Sequence, residues 1–294
     1  MTTELPTEAR SALPRPYSEA GFNHRRSGIF DDPAVNVFVD GEGTFAILHP
    51  SPVLDYAHYV PRQQKLGLGA YKKTLDVVGR RLAKITDLFP ERGLVLEIGA
   101  AEGGFLAKLR TRRPGLSLMA IEPDDDTKAA REALALAGDF RTLEDAVAAG
   151  VTADVICFFH VFEHINEPQA FLGQVRRLLA PNGRVVIEVP SLDDPLLSLY
   201  AVPAYEAFYF QRQHPFVYSG RSLSRVLSTN GFAVDEIRPY QRYGLENHLS
   251  WLRHGRGGGD PVLAEVFAAA DGAYKAALEA KGLTDTVFAV VHPL

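Results

Sequence analysis

Two histidines and a glutamate stand close together in the segment HVFEH, residues 160–164. His160, Glu163 and His164 match the H-x-x-E-H spacing of one class of zinc peptidases. Histidines four residues apart on a helix share a face and can hold a metal, with the glutamate as a base. That use needs a long helix and a third protein ligand, whereas Asn166-Glu167-Pro168 starts a new helix just downstream. We therefore expect no metal site at these residues.

The bulk composition narrows the classes of protein. The chain has 294 residues, 46% of them hydrophobic and 23% charged, with a net charge of −5. This charge gives no basic surface for nucleic acid or an anionic membrane. No apolar run reaches the roughly 18–20 residues that span a bilayer, and the first twenty residues lack the pattern of a signal peptide. With Cys157 as the only cysteine, we expect a cytoplasmic protein without disulfides.

Strands and helices alternate through most of the chain. Apolar runs predict seven strands, at 93–99, 116–123, 139–143, 153–159, 184–190, 232–240 and 284–293. Amphipathic spacing predicts helices between them, at 103–112, 126–137, 168–179 and 221–230. Such alternation is typical of an α/β fold, in which a mostly parallel sheet is covered on both faces.

Other segments flank this unit. Residues 1–30 are polar and are expected to be loosely ordered, and a hairpin is predicted within 36–48. An amphipathic helix is predicted over 71–89. We expect residues 1–70 to form an extension and cap, and 71–294 to form the main domain. The main domain carries an insertion at 241–283, with a helix near 261–281, before its last strand.

A glycine-rich turn follows the first strand of the main domain, in VLEIGAAEGGF, residues 95–105. Gly99 and Gly103 let the chain turn sharply and let a ligand approach the backbone. Glu97 adds a fixed carboxylate, and Glu122 at the tip of the next strand is placed to accept ribose hydroxyls. A dehydrogenase is an alternative, because the turn differs by one residue from G-x-G-x-x-G. Glu97 favours an ammonium group over a pyrophosphate. A tight turn without a ligand also stays open.

These motifs together resemble class I S-adenosylmethionine-dependent methyltransferases. The spacing Glu97-x-Gly99-x-x-x-Gly103 is similar to the first motif of that family, and Glu122 is similar to its ribose-binding acid. Residues 153–191 resemble its fourth and fifth strand region, including the turn at Pro181-Asn182-Gly183. The resemblance covers about residues 70–240. It implies a Rossmann-like, seven-stranded, mostly parallel sheet with an antiparallel last strand, and S-adenosyl-L-methionine as cofactor.

The resemblance also implies a set of cofactor contacts. Glu97 and Gly99 would contact the methionine part, and Glu122 the ribose, while Glu144 would border the adenine. The full expected set of cofactor-binding residues is Glu97, Gly99, Ala100, Gly103, Glu122, Pro123, Glu144, Phe159 and His160. The N-terminal hairpin and the helix at 71–89 would cap the cofactor, with Tyr59 and Tyr71 as candidates.

In this interpretation HVFEH is the loop beside the transferable methyl group. His160 or His164 would be the general base, with Glu163 orienting an imidazole or the acceptor. A purely structural role, in which they hydrogen-bond neighbouring loops, stays open.

A further histidine, His214, lies in the aromatic segment at 208–223, which lines the acceptor pocket in related enzymes or forms ordinary core. Related sugar C-methyltransferases carry Tyr-x-Glu-His where this chain has Gln211-Arg212-Gln213-His214, and they carry an N-terminal zinc-binding cysteine cluster that is absent here. The candidate catalytic residues are thus His160, Glu163, His164 and His214.

The insertion begins with the unusual segment at 241–260, which contains Tyr243, His248, Trp251, Arg253 and Arg256. We interpret it as an acceptor lid or anion clamp, with a dimer contact or a solvated loop as alternatives. The predicted function is methyl transfer to a hydroxyl of a small molecule such as a sugar, glycan or natural product, in a possible homodimer. The alternatives are a C-methyltransferase, an NAD(P)-dependent oxidoreductase and a cofactor-binding protein without catalysis.

Overall fold

The computed structural model describes residues 13–17, 21–51, 76–258 and 260–294. These residues form eleven strands and ten helices, with bounds as follows. The strands are β1 (Phe22–Ile29), β2 (Asp32–Asp40), β3 (Phe45–His49), β4 (Gly93–Ile98), β5 (Leu116–Ile121), β6 (Gly138–Phe140), β7 (Ala153–Phe159), β8 (Leu179–Pro190), β9 (Phe216–Tyr218), β10 (Phe232–Tyr240) and β11 (Thr286–Pro293). The helices are α1 (Val77–Ile85), α2 (Gly104–Arg112), α3 (Lys128–Glu132), α4 (Leu143–Ala148), α5 (Pro168–Arg177), α6 (Pro195–Ser198), α7 (Pro203–Tyr209), α8 (Gly220–Thr229), α9 (Leu245–His254) and α10 (Pro261–Lys281). None of these helices is long and apolar enough to cross a membrane.

The predicted seven-stranded sheet is confirmed, with the strand order β10-β11-β8-β7-β4-β5-β6. β4 pairs in parallel with β5 on one side and with β7 on the other. The final strands are antiparallel, as expected for a Rossmann-like methyltransferase fold. The chain leaves β4 toward β5 and β6 and then returns to the opposite side at β7. This reversal between β4 and β7 is a topological switch point. In such sheets, ligands bind beside the switch point, outside the carboxyl ends of the strands.

Two predicted elements differ from the structure by five residues at one end. The helix predicted over 126–137 is wrong in length, because a 3₁₀ turn at Asp125–Thr127 leads into the short α3, which ends at Glu132. Ala135 then adopts a left-handed φ of 47°, which a right-handed helix does not continue through. The strand predicted over 184–190 begins earlier, at Leu179.

A second, four-stranded sheet has the order β1-β2-β3-β9. The hairpin predicted within 36–48 is confirmed as β2 and β3. Asp40 fixes its turn, since one carboxylate oxygen accepts the N–H groups of Thr44 at 2.6 Å and Phe45 at 3.0 Å. The expectation that residues up to 30 are loosely ordered is wrong for β1. That strand buries only its terminal Phe22 and Ile29. Its middle residues are polar, so the sequence shows no apolar alternation that would predict a strand.

Contacts divide the chain into two compact units. The glycine-turn unit comprises the described residues within Asp55–Val161, Ala170–Ile187 and Val290–Leu294. The N-terminal-sheet unit comprises those within Met1–Leu54, Phe162–Gln169 and Glu188–Ala289. The predicted boundary at 70/71, and Tyr59 and Tyr71, lie outside the described residues, so that boundary and the capping role stay predictions. The insertion supplies α9 and α10 between β10 and β11, as expected.

Candidate cofactor site and histidine cluster

The turn after β4 requires glycine at two positions, because both are left-handed and closely packed. Gly99 has a left-handed φ of 75°, and a Cβ atom there would lie 2.4 Å from Cγ2 of Val161. Gly103 has a φ of 76°, and a Cβ atom there would lie 2.5 Å from Cδ1 of Leu134. The N–H of Gly99 donates to the carbonyl of Ile121 at 2.8 Å, which holds the turn against β5. Any larger residue at either glycine would therefore strain the backbone and collide with the neighbouring side chain.

Glu97, near the end of β4, is a buried carboxyl with spare hydrogen-bonding capacity. It is 4% exposed, and among the described residues its Oε2 atom has no hydrogen-bond partner. Burial raises the pKa of this carboxyl to about 8, opposed by the Arg81 guanidinium and reinforced by the Glu122 carboxylate. A buried acceptor of this kind calls for a donor, and a cationic donor would favour its charged form. An ammonium group fits that requirement.

Glu122 follows β5 and ties the glycine turn to the next segment. Its Oε2 accepts the N–H of Ala101 at 2.7 Å, and its Oε1 accepts the N–H of Asp124 at 2.9 Å. Each carboxylate oxygen can accept more than one hydrogen bond, so both retain capacity for ribose hydroxyls. Glu122 is partly exposed and Pro123 is exposed. Glu122 therefore fits a ribose-binding role while also shaping the turn.

Two buried arginines in this unit were not predicted from the sequence. Arg131 donates to the carbonyl of Ala101 at 2.7 Å and to Oδ1 of Asp139 at 3.0 Å, so it clamps the glycine turn to β6. Arg81 on α1 places its guanidinium 4.7 Å from the ring centre of Phe159. A signal existed for Arg81, because it sits on the buried face of α1. None existed for Arg131, whose partners come from distant segments.

The remaining predicted cofactor residues occupy two kinds of environment. Ala100 and Phe159 are buried, and Phe159 packs edge-on against Phe105 with ring centres 4.6 Å apart. Glu144 is exposed in the first turn of α4, where it accepts a hydrogen bond from the Gln174 side chain of α5. That bond lowers the pKa of Glu144. Its place beside an adenine stays a prediction.

In the N-terminal-sheet unit, three of the four predicted catalytic residues come together. Glu163 and His164 lie in a 3₁₀ turn at Phe162–His164, and His214 precedes β9. Their nearest nitrogen and oxygen atoms all lie within 4.8 Å of one another. His164 binds the carbonyl of Gln213 through Nδ1 at 2.5 Å, and its ring centre lies 5.0 Å from that of His214. Glu163 is only 1% exposed.

His160 belongs to the glycine-turn unit, directly after β7. Its φ is 56°, in the left-handed region that few non-glycine residues adopt. Such strain persists only where the surrounding structure imposes it, and it clusters at functional sites.

Most of the segment at 208–223 is core, which was the alternative to a pocket wall. Tyr209, Phe210, Phe216 and Tyr218 are buried. Tyr218 stacks on Phe162 with ring centres 5.3 Å apart, which holds the turn that carries Glu163.

The lid or anion-clamp interpretation of the insertion is wrong for His248 and Trp251, because both are built into the interior. Trp251 packs on Tyr205 with ring centres 4.9 Å apart. His248 bonds the Tyr274 hydroxyl at 2.5 Å, and burial lowers its pKa to about 4. Arg253 and Arg256 are exposed, and their role stays a prediction.

Residues 70–237, more than half of the chain, match the family model described as a methyltransferase domain. The chain belongs to this methyltransferase family. The enzyme is S-adenosylmethionine-dependent, which decides against the nicotinamide oxidoreductase and the non-catalytic binding protein. Comparison with curated protein sequences gave no match.

Solved structures share the fold of this methyltransferase. An S-adenosylmethionine (SAM)-dependent methyltransferase from Archaeoglobus fulgidus is 18% identical with a TM-score of 0.52, over 81% of this chain and 99% of that one. The plantazolicin methyltransferase BamL, in complex with a triazolic desmethylPZN analog and S-adenosylhomocysteine (SAH), is 14% identical with a TM-score of 0.54. That match covers 81% of this chain and 92% of BamL. At these identities the likeness concerns the fold alone.

Proposed function

We propose that this methyltransferase methylates a hydroxyl oxygen of a small molecule, with a sugar, glycan or natural product as acceptor class. The observation that carries the proposal is the cluster of Glu163, His164 and His214, whose ligand atoms lie within 4.8 Å of one another. A hydroxyl must lose its proton when it is methylated, and imidazole is the side chain that accepts protons near neutral pH.

The glycine turn and its two carboxylates would hold the cofactor. Glu97 would receive the ammonium group, Gly99 and Gly103 would admit the cofactor to the backbone, and Glu122 would accept the ribose hydroxyls. When bound, S-adenosylmethionine supplies a methyl group already activated on a sulfonium. The protein therefore needs only to position the acceptor, exclude water and handle one proton.

His164 is organised to accept that proton. A carbonyl oxygen can only accept a hydrogen bond, so the contact with Gln213 places the imidazole hydrogen on Nδ1. In the neutral ring Nε2 then holds the lone pair. Glu163 Oε1 lies 3.9 Å from Nε2, so its charge would stabilise the imidazolium that forms. His160 is the second candidate, because its strained backbone fixes the start of the same loop.

Oxygen methylation is favoured over carbon methylation by the residues before His214. Gln211 and Gln213 are buried, and their side chains hydrogen-bond each other at 2.8 Å. Neutral amides cannot remove a proton from carbon, and they stand where related C-methyltransferases carry a tyrosine and a carboxylate. Only His214 in this four-residue segment can act as a base.

The proposal is tested by incubating the enzyme with S-adenosylmethionine labelled with ¹³C in the methyl group and pools of hydroxylated small molecules. NMR of the products then distinguishes a methyl ether from a carbon-bound methyl group. We expect methyl ethers, and a carbon-bound label would refute oxygen methylation.

The roles of the histidines need a separate comparison. His160→Ala and His164→Ala are assayed beside His254→Ala, which changes an exposed histidine at the end of α9. We expect one of the first two to lose at least about tenfold in kcat, in keeping with general-base catalysis, while SAH affinity is kept. Unchanged turnover in both variants would remove them from the chemistry.

A further inference from the structure

Glu163, His164 and His214 form a set of ligands as well as a set of candidate bases. Each offers one nitrogen or oxygen atom, and these atoms lie within 4.8 Å of one another. The residues come from two segments about fifty positions apart in sequence, so the fold, rather than local spacing, brings them together. Glu163 is 1% exposed, and the two histidines are partly buried.

The hydrogen bond of His164 orients its second ring nitrogen, Nε2, toward a carboxylate. Nδ1 donates to the carbonyl of Gln213, which is the arrangement found for most metal-binding histidines, whose second nitrogen donates to a carbonyl or carboxylate. Nε2 then points its lone pair into a space shared with Glu163 Oε1, 3.9 Å away. Both atoms are electron-pair donors in that state, which is what a metal ion requires of its ligands.

The separation of these atoms decides between a proton and a metal ion. A proton shared between nitrogen and oxygen needs about 2.7–3.2 Å between the heavy atoms, and 3.9 Å is too long for that bond. Two ligand atoms about 2.1 Å from a metal at the tetrahedral angle lie about 3.4 Å apart. A side-chain movement of about half an ångström would therefore close the cluster around an ion.

The surroundings of Glu163 favour a nearby positive charge. Glu163 is 1% exposed, and Phe162, its neighbour in the chain, stacks on Tyr218 with ring centres 5.3 Å apart. A carboxylate in such an apolar setting interacts with a nearby cation more strongly than it would in water.

We propose that Glu163, His164 and His214 bind a divalent first-row transition-metal ion such as Zn²⁺. Two imidazoles and one carboxylate suit such ions, whereas Mg²⁺ and Ca²⁺ prefer oxygen ligands alone. Three protein ligands leave a fourth position open, as in catalytic zinc sites. Such a site departs from the expectation that HVFEH lacks a metal, since the third ligand would be His214, distant in sequence, and His160 would not be needed.

If the proposed function holds, the open coordination position of the metal would bind the acceptor hydroxyl; this use rests on the proposed function. A hydroxyl bound to a divalent ion loses its proton more readily. His164 would then act as a ligand rather than as the base, and the proton would pass to solvent.

The test measures metal binding alone, so it does not depend on any acceptor. The untagged full-length protein is treated with a chelator and titrated with Zn²⁺ by calorimetry and with Co²⁺ by visible absorption. We expect one ion per chain, a Kd of micromolar or tighter, and cobalt bands of nitrogen and oxygen ligation without thiolate charge transfer.

Three variants assign the site. Glu163→Gln, His164→Ala and His214→Ala should each weaken Zn²⁺ binding at least about 100-fold, while His254→Ala should bind as the wild type does. SAH binding, measured in parallel, shows that each variant is folded and reports on the cofactor site separately. Wild-type binding no tighter than that of the His164→Ala variant, or binding that none of the three changes weakens, overturns the proposal.

Discussion

The buried carboxyl of Glu97 predicts that the cofactor displaces a proton when it binds. In the free protein its pKa is about 8, so about nine-tenths of the molecules carry a proton on Glu97 at pH 7. An ammonium group beside it would favour the charged carboxylate. Binding of SAH at pH 7 should therefore release about 0.9 proton per molecule, and affinity should rise about tenfold from pH 6 to pH 7.

Calorimetry in buffers of different ionisation enthalpy measures this release. The range from pH 6 to pH 7 is chosen because it lies below the pKa of the Glu97 carboxyl and below that of the amino group of SAH, so only Glu97 changes its protonation on binding. Glu97→Gln should bind more weakly and lose the pH dependence, because an amide has no proton to give up. Glu102→Gln, an exposed residue of the same turn, should behave as the wild type. A wild-type protein that releases no proton, or a Glu97→Gln variant that keeps the tenfold change, would refute the ammonium role.

The same carboxyl makes the free energy of unfolding depend on pH. Its folded pKa is raised from 4.5 to about 8, so its contribution is fully present below pH 4.5 and is lost as pH rises through 8. At 1.36 kcal/mol per pH unit the loss is about 4–5 kcal/mol above pH 8. Without cofactor, Glu97→Gln should therefore melt at a higher temperature than the wild type at pH 8, and at a similar temperature at pH 5.

Three further predictions concern other residues. Gly99→Ala should abolish SAH binding, because its Cβ would lie 2.4 Å from Val161 and its φ is left-handed. Gly104→Ala, with open space at its Cβ, should bind SAH normally. Equal SAH affinities of the two variants in calorimetry would contradict the role of Gly99 in the cofactor site. Arg131→Met should lower the free energy of unfolding in urea by about 3 kcal/mol, because it leaves Asp139 and the Ala101 carbonyl without this donor; a change below about 1 kcal/mol would show that the clamp is dispensable. Burial raises the pKa of Asp194 to about 7, so its contribution to stability is fully present below pH 3.8 and is lost as pH rises to 7. In thermal melts, the melting temperature of Asp194→Asn should therefore fall less between pH 3.8 and pH 7 than that of the wild type. An equal fall in both proteins would contradict this role of Asp194.

The sequence predicted the elements whose signal is local. β4 and β7 are continuous apolar runs, and the glycines between β4 and α2 mark a turn that few other residues can make. β1 was missed because an edge strand with a polar middle has no apolar alternation. α9 was misread because Trp251 and His248, spaced like one face of a helix, were assigned to binding rather than to packing.

The contacts that complete the candidate sites could not be predicted. Arg131 reaches Ala101 and Asp139, and His214 joins Glu163 and His164, only through the fold. Residue types alone identified Glu163, His164 and His214 as candidates, but their interpretation as bases or ligands depends on the tautomer of His164. That tautomer is set by a backbone carbonyl, which no pattern of side chains reveals.

The pairing of β3 with β9 bears on how the protein folds during synthesis. Phe45 lies opposite Tyr218, so nearly the whole methyltransferase core is made between the two partners. Closing so long a loop is slow, and contacts of this range delay folding. As the chain leaves the ribosome, β4 to β7 are all available before β9 appears, and β3 exposes an unpaired edge in the meantime. That interval is when the nascent chain is most open to pairing with another chain, and a synonymous-codon pause placed after β9 should raise the soluble yield more than one placed before it.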